Sequence, residues 1–371
     1  MLAPPHFLPI EIRTMKRRAF LTTIAAAAAV HSVHPRIAAA SLAGPKIGLG
    51  MDNFAIRDLG LKAAGLIDYA HSLKLDALFI SDLDAFENLE DAYLSDVRKK
   101  ANDFGISMYV GGWSICPTSK SFRTNRGTAE EHLRLGLRVA KTLGSPVFRV
   151  ILGNAADRKT DGGIQARIAD TVTVLKACRA QALDLGIKVA VENHAGDMHS
   201  WELAQLIETA GADYVGANFD SGNAAFTLED PHDAFENLGK VTICSSLRDD
   251  MVWETPEGAT VQWAAAGEGL IDWKKLATRW AELCPTVPIM IETIYGRRDF
   301  PFKSDDFWQY YDKRPQALEG FKSLAKRGHS IEARKSSGPN PNKQEAMEYQ
   351  KSELSRSISY LRDKIGLGLK S

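Results

Sequence analysis

From Lys46 to about Arg327, short apolar runs alternate with longer segments whose apolar residues recur every three or four positions. A buried parallel strand reads as a continuous apolar run, and the helix that covers it shows one apolar stripe. The first run, Lys46 to Met51, is followed by Leu59, Ala63, Leu66, Ile67, Ala70 and Leu73 on one helical face. The second, Ala77 to Ile80, precedes Leu89, Tyr93, Val97, Ala101 and Phe104 at helical spacing. The third, Ile106 to Val110, enters Gly111 to Pro117, which reads as a loop, so its helix is expected only from about Thr128 to Leu143. Pro146 to Leu152 is the fourth, with a helix carrying Ile164, Ile168, Val172 and Leu175. Ile187 to Val191 precedes a helix from Ser200 to about Ala210, and Tyr214 to Phe219 a short one around Ala234 to Leu238. Lys240 to Ser245 is the seventh run, with a long loop before the helix containing Trp273, Leu276 and Trp280. Val287 to Ile291, with a helix over Pro315 to Arg327, is the eighth. Eight such units predict a closed (β/α)8 TIM barrel over residues 46–330. An open doubly wound sheet competes, but the Gly-rich phosphate turn expected after its first strand is absent.

Residues 331–371 read as a C-terminal helical extension. A turn-rich linker, Lys335 to Asn342, leads to a helix from Lys343 to about Ile365 with a stripe of Met347, Leu354, Ile358, Leu361 and Ile365. Such a stripe docks on its own domain or meets a second copy in a homodimer. At the other end, Met15-Lys16-Arg17-Arg18-Ala19-Phe20-Leu21 resembles a twin-arginine export signal, with a weakly apolar run from Thr22 to Val30 and small residues at Ala38-Ala39-Ala40 for cleavage. Residues 15–42 are read as signal peptide and 1–14 as lying before the native start. The apolar run is far short of the roughly 20 residues that span a bilayer. The expectation is therefore a periplasmic or otherwise exported protein with no stable membrane insertion after processing.

Composition narrows the partners. Of 371 residues 44% are hydrophobic, enough for one large core. Lys plus Arg equals Asp plus Glu at 46 each, so no overall field draws nucleic acid to the chain. Cys116, Cys178, Cys244 and Cys284 form no Cys-x-x-Cys pair and read as small core residues.

Polar groups that end barrel strands share one mouth. Glu192 follows the apolar run in Val191-Glu192-Asn193-His194, Asp220 ends Asn218-Phe219-Asp220-Ser221-Gly222-Asn223, Ser246 follows the seventh run, and Glu292 ends Ile289-Met290-Ile291-Glu292. Three converging carboxylates repel unless a cation or proton neutralises them, and a divalent metal is the simplest answer. Arg149, within the fourth strand, needs an anionic partner, with the site carboxylates preferred over a substrate phosphate.

These segments, with Ser246-Leu247-Arg248-Asp249 and Gly267-Glu268-Gly269-Leu270-Ile271-Asp272-Trp273, resemble the sugar phosphate isomerase/epimerase family, the xylose isomerase-like TIM barrels, from about Lys46 to Arg327. The resemblance implies one Mn, Mg, Co or Zn ion held by Glu192, Asp220, a strand-seven His and Glu292. Here Ser246 stands in place of that His. An oxygen-only site would favour Mn or Mg. Ser246 could hold a water in the open position, or His194 could reach in. With an ion present, Glu192 and Glu292 would remove and return a proton through a stabilised enediolate, giving a sugar isomerase or epimerase. Export argues for a non-phosphorylated carbohydrate or related ketone. A lyase, hydrolase or decarboxylase acting on a 3-keto-glycoside or sugar acid is the alternative, and the missing His keeps a non-catalytic sugar-binding relative in view.

Around this centre each remaining residue has two readings. His194 orients the carboxylates or bonds locally at the entry to a helix. Arg248 holds a substrate oxygen or pairs with Asp249 or Asp250. Asn223 is a substrate contact or a turn residue. Glu268 faces the site by resemblance or is a solvated loop carboxylate. Trp113 and the aromatic stretch Phe300 to Tyr311 roof the pocket or pack between loops.

Overall fold

The computed structural model describes residues 46–311, 318–333 and 342–370. The expected signal, the residues before it and nearly all of the expected linker lie outside the described residues. Strands β1 (Leu49–Asp52), β2 (Ala77–Ile80), β3 (Ser107–Ser114), β4 (Val147–Ile151), β5 (Lys188–Glu192), β6 (Val215–Phe219) and β7 (Thr242–Ser245) follow one another as the apolar runs predict. After β7 the chain makes a hairpin of β8 (Asp249–Glu254) and β9 (Ala259–Ala264), then β10 (Ile289–Ile291) and β11 (Arg297–Phe300). β10 and β1 to β7 form one parallel sheet in the order β10-β1-β2-β3-β4-β5-β6-β7.

The sheet closes between β7 and β10 by a short seam. Leu247 donates to Met290 O at 2.7 Å and accepts from Glu292 N at 2.9 Å. The Ser245 hydroxyl fills the gap below, donating to Pro288 O at 2.8 Å and accepting from Met290 N at 3.0 Å. Side chains alternate along the strands. Ala77 and Phe79 join Tyr109, Val147, Ala190, Cys244 and Met290 inside the barrel, while Leu78 and Ile80 pack outward under the helices.

The covering helices are α1 (Ala63–Ser72), α2 (Asp91–Asp103), α3 (Ala129–Leu143), α4 (Gly163–Leu185), α5 (Ser200–Ala210), α6 (Ser221–Ala225), α7 (Pro231–Leu238), α8 (Trp273–Leu283), α9 (Asp305–Trp308) and α10 (Leu318–Arg327). Thr128 and Glu131 form a reciprocal capping box on α3, and Asp230 and Asp272 cap α7 and α8. Among the described residues no helix is long and apolar enough to cross a membrane.

Two sequence expectations change and one open choice is decided. Gly111 to Ser114 belongs to β3, continuing past a register shift, so Trp113 stands on a strand and not in a loop. The long loop after the seventh run is the β8–β9 hairpin, joined by β11 in an antiparallel sheet of order β11-β9-β8. Of the two readings of the stretch Phe300 to Tyr311, packing holds for Phe300 and Trp308, which sit in a second core with Phe226, Trp263 and Phe321.

The terminal helix α11 (Lys343–Tyr360) docks on its own barrel. Leu354, Ile358 and Leu361 are buried in the main core. Gln350 and Asp58 exchange two hydrogen bonds, and Ala266 N donates to Ser357 Oγ at 3.0 Å. The stripe that could have met a second copy is covered here.

Candidate active site

Glu192 is the last residue of β5, Asp220 caps α6 directly after β6, and Glu292 follows β10. Strand direction therefore delivers all three to the C-terminal mouth. One oxygen from each lies within 4.8 Å of the others, so the buried triad could hold a metal ion. The three acids converge, as strand direction predicts.

Two arginines enter the same space. Arg149 Nε donates to Glu192 Oε2 at 2.6 Å and its Nη1 to Gly112 O at 2.9 Å, as its place in β4 led us to expect. Arg248 turns away from its neighbours Asp249 and Asp250. Its Nη2 donates to Asp220 Oδ2 at 2.5 Å and also to Glu292 Oε2. Asp249 has partners enough without it, accepting from Gly267 N, Ile271 N and Trp273 Nε1.

The remaining candidates divide. Asn223 Nδ2 donates to Asp220 Oδ2 at 2.7 Å and to Glu192 Oε1 at 3.3 Å, so it is part of the site and not only a turn residue. Ser246 Oγ lies 3.4 Å from Asp52 Oδ2 and 3.3 Å from Asn218 Nδ2, with no bond to the triad. His194 Nδ1 donates to Gly153 O at 2.6 Å, which leaves Nε2 unprotonated. It touches none of the three carboxylates. Glu268 is outside the site altogether, half exposed and paired with Arg356 on α11.

A space of about 420 Å³, open solvent at its mouth included, is lined by Trp113, Arg149, His194, Asn223, Arg248, Trp263 and Glu292 together with Phe54, Ser81, Asp82 and Ile294. Of the two glutamates expected to flank a substrate carbon, only Glu292 is on its wall. Glu192 is fully buried, accepting from Arg149, Asn218 and Asn223.

Burial raises the pKa of Glu292 above the usual carboxylate range, and the neighbouring Glu192 adds to this against the pull of Arg248. Asp220 is raised well above its ordinary value, again chiefly by burial. Burial, with the charge of Glu292, pushes Asp52 up to about 7. His194 is driven down to about 3 by burial and the Arg149 charge, so its imidazole is neutral. Asp52 was missed from sequence although it ends β1 in Met51-Asp52-Asn53, where the same strand-end rule applies. Trp263 and Asn218 gave no comparable signal.

Residues 55–326 match the family described as Xylose isomerase-like TIM barrel. The chain belongs to that family. It is similar, at 22% identity over 200 residues, to a 3-oxo-isoapionate decarboxylase of Pectobacterium atrosepticum, a match covering 53% of this chain and 65% of that protein. The chain thus spans slightly under two thirds of that relative. Among solved structures, a D-psicose 3-epimerase crystallised with D-fructose superposes with a TM-score of 0.56 at 14% identity, over 86% of this chain and 100% of that one. An IOLI protein carrying a zinc atom superposes at 0.50 with 15% identity, over 75% and 95%. These likenesses establish the barrel.

Proposed function

We propose that this barrel is an enzyme of carbohydrate metabolism that shifts a proton beside the carbonyl of a non-phosphorylated sugar or related ketone, interconverting isomers or epimers. The observation that carries this reading is Glu292, a carboxylate of raised proton affinity on the wall of a cavity shared with two guanidiniums. A general base works best when its pKa approaches the working pH. Glu292 would take the proton from the carbon next to the carbonyl. The C–H pair becomes a C=C bond, and the carbonyl pair moves onto oxygen. Arg248 lines the cavity, and its Nε and Nη1 are buried without a partner. Those N–H groups would receive the enolate oxygen, where charge grows during the step. Return of the proton to the former carbonyl carbon, as the adjacent hydroxyl passes its proton to the enolate oxygen and becomes the new carbonyl, gives an isomer; protonation of the original carbon by a donor on its opposite face gives an epimer.

Both lining arginines are already bonded to carboxylates, which supports a substrate without phosphate. An ion seated on Glu192, Asp220 and Glu292 would meet oxygen donors, which favours Mn or Mg, and would first have to displace Arg248. Export through the twin-arginine route, suggested by residues 15–42, remains part of this reading; N-terminal sequencing of protein from a periplasmic fraction tests it.

Similarity to the decarboxylase favours a second reading, loss of carbon dioxide or of a leaving group from an oxidised sugar through the same enolate. NMR of a panel of free ketoses, aldoses and keto-acids in deuterated buffer separates the readings. Deuterium at the carbon beside the carbonyl with the skeleton intact is expected. Loss of carbon dioxide or a leaving group would select the second reading, and binding without turnover across the panel would leave a sugar-binding protein.

A further inference from the structure

A cluster of three buried carboxylates needs positive charge nearby, and this chain supplies it from its own side chains. Arg248 Nη2 bonds Asp220 and Glu292 at once, two of the three groups that an ion would need. Arg149 takes an oxygen of the third, Glu192. The position from which a fourth donor would come is held by Ser246, whose hydroxyl meets Asp52 and Asn218 and does not reach the triad. Two guanidiniums among three carboxylates already neutralise most of the charge by which a divalent cation would be drawn in.

The placement of Arg248 is built, from the backbone to the tip. Its carbonyl accepts from the Ser221 hydroxyl at 2.5 Å and its N–H donates back to that oxygen at 3.1 Å, so the start of α6 fixes the residue. A Cβ on Gly222 would stand 2.1 Å from Arg248 Cγ, so glycine is what lets the stem pass. The guanidinium then lies over the ring of Trp263, 4.2 Å from its centre. Trp263 is itself held by a hydrogen bond from Nε1 to Gly222 O at 3.0 Å and by stacking on Phe226 at 4.4 Å. A planar, delocalised, always-charged group on an aromatic face suits a dry site better than an ammonium would.

We propose that the guanidinium of Arg248 occupies the position of a catalytic metal ion, so that the folded protein carries no resident divalent metal on Glu192, Asp220 and Glu292. The arrangement as folded does not fit an ion: Ser246 does not reach the triad to give a fourth donor, and all three acids are already bonded to a guanidinium, Glu192 to Arg149 and Asp220 and Glu292 to Arg248. This inference goes beyond the reaction proposed above and holds whichever carbonyl chemistry the pocket performs.

The test is metal content and Mn²⁺ binding of the full chain, purified without chelators from metal-replete medium. Plasma emission should find below about 0.1 equivalent of Mn, Co or Zn, and Mn²⁺ titration followed by electron paramagnetic resonance should show no site tighter than about 1 mM. In the Ser246→His/Arg248→Ala double variant, with the nitrogen donor restored and the guanidinium removed, Mn²⁺ should bind roughly 100-fold tighter or more. Near-stoichiometric metal in the wild type, a tight Mn²⁺ site there, or a folded double variant that binds no better would overturn the proposal. The wild-type measurements decide it even where the variant fails to fold. None of these readouts uses turnover, so a failed substrate panel counts against the reaction alone.

Discussion

Arg158 with Glu202, and Arg248 with Asp220 and Glu292, are two arginine–carboxylate clusters of nearly equal burial: 3% and 6% exposed in the first, 2%, 0% and 4% in the second. Their carboxylates nevertheless move in opposite directions. Burial works against the charge of Glu202, but hydrogen bonds from His199 and the Arg158 charge bring it down to about 2. Asp220 and Glu292 are raised. Desolvation is common to both, so the difference lies in the ratio of partners. Glu202 meets Arg158 Nη2 at 2.5 Å and two groups of His199, the backbone N at 2.8 Å and the ring Nδ1 at 3.0 Å. At the mouth, three acids share two guanidiniums. The first cluster holds loop to helix, whereas the second keeps an appetite for protons that the fold alone does not need.

Removing the proton carrier should separate the two most sharply. Glu292→Gln is expected to lower exchange of substrate hydrogen with deuterated water by roughly 10²–10⁴-fold, without loss of thermal stability. A matching fall in melting temperature would show that Glu292 is structural. In the other cluster the cost should fall on the fold. Arg158→Met leaves Glu202 buried without its cation, and urea unfolding should register a loss of about 3–5 kcal/mol. Exchange per folded molecule should be unchanged.

Acid and alkali should then distinguish them by sign. Glu202 is depressed, so its contribution is complete above its ordinary pKa of 4.5 and disappears as pH falls toward about 2. At one pKa unit per 1.36 kcal/mol this amounts to on the order of 3 kcal/mol, and Glu202→Gln should flatten the acid limb of a stability–pH curve by a comparable amount. Asp52 is raised from 3.8 to about 7, chiefly by burial. Its contribution is complete below 3.8 and is lost as pH rises through about 7, so Asp52→Asn should flatten the curve on that side. Flattening of the same limb by both variants would sink the comparison.

The barrel was legible because strand and helix periods differ, and the acids because strand direction collects them at one mouth. Asp52 was within reach of that rule. So was the hairpin: Asp249–Glu254 and Ala259–Ala264 flank Pro256-Glu257-Gly258, a turn signal between two strand-like runs. Reading the stretch as a connection between barrel units hid it. The direction taken by Arg248 was a different matter. Periodicity places Arg248 beside Asp249 and Asp250, yet the side chain crosses to acids 28 and 44 residues away. That choice depends on Gly222 and Trp263, whose proximity exists only in the folded chain. Local sequence therefore located the carboxylates and Arg149, but not the turn of Arg248 that neutralises the other two acids.

Glu268 offers the smallest effect and a useful control. Resemblance placed it at the site, while the fold places it against Arg356 with both side chains nearly half exposed. Water and salt screen such a pair, so Glu268→Gln should change stability by less than about 1 kcal/mol. Hydrogen exchange into substrate should match the wild type. If that exchange fell instead, the Gly267-Glu268-Gly269 loop would have to swing from α11 toward the mouth during turnover, and the boundary drawn here between site and rim would move with it.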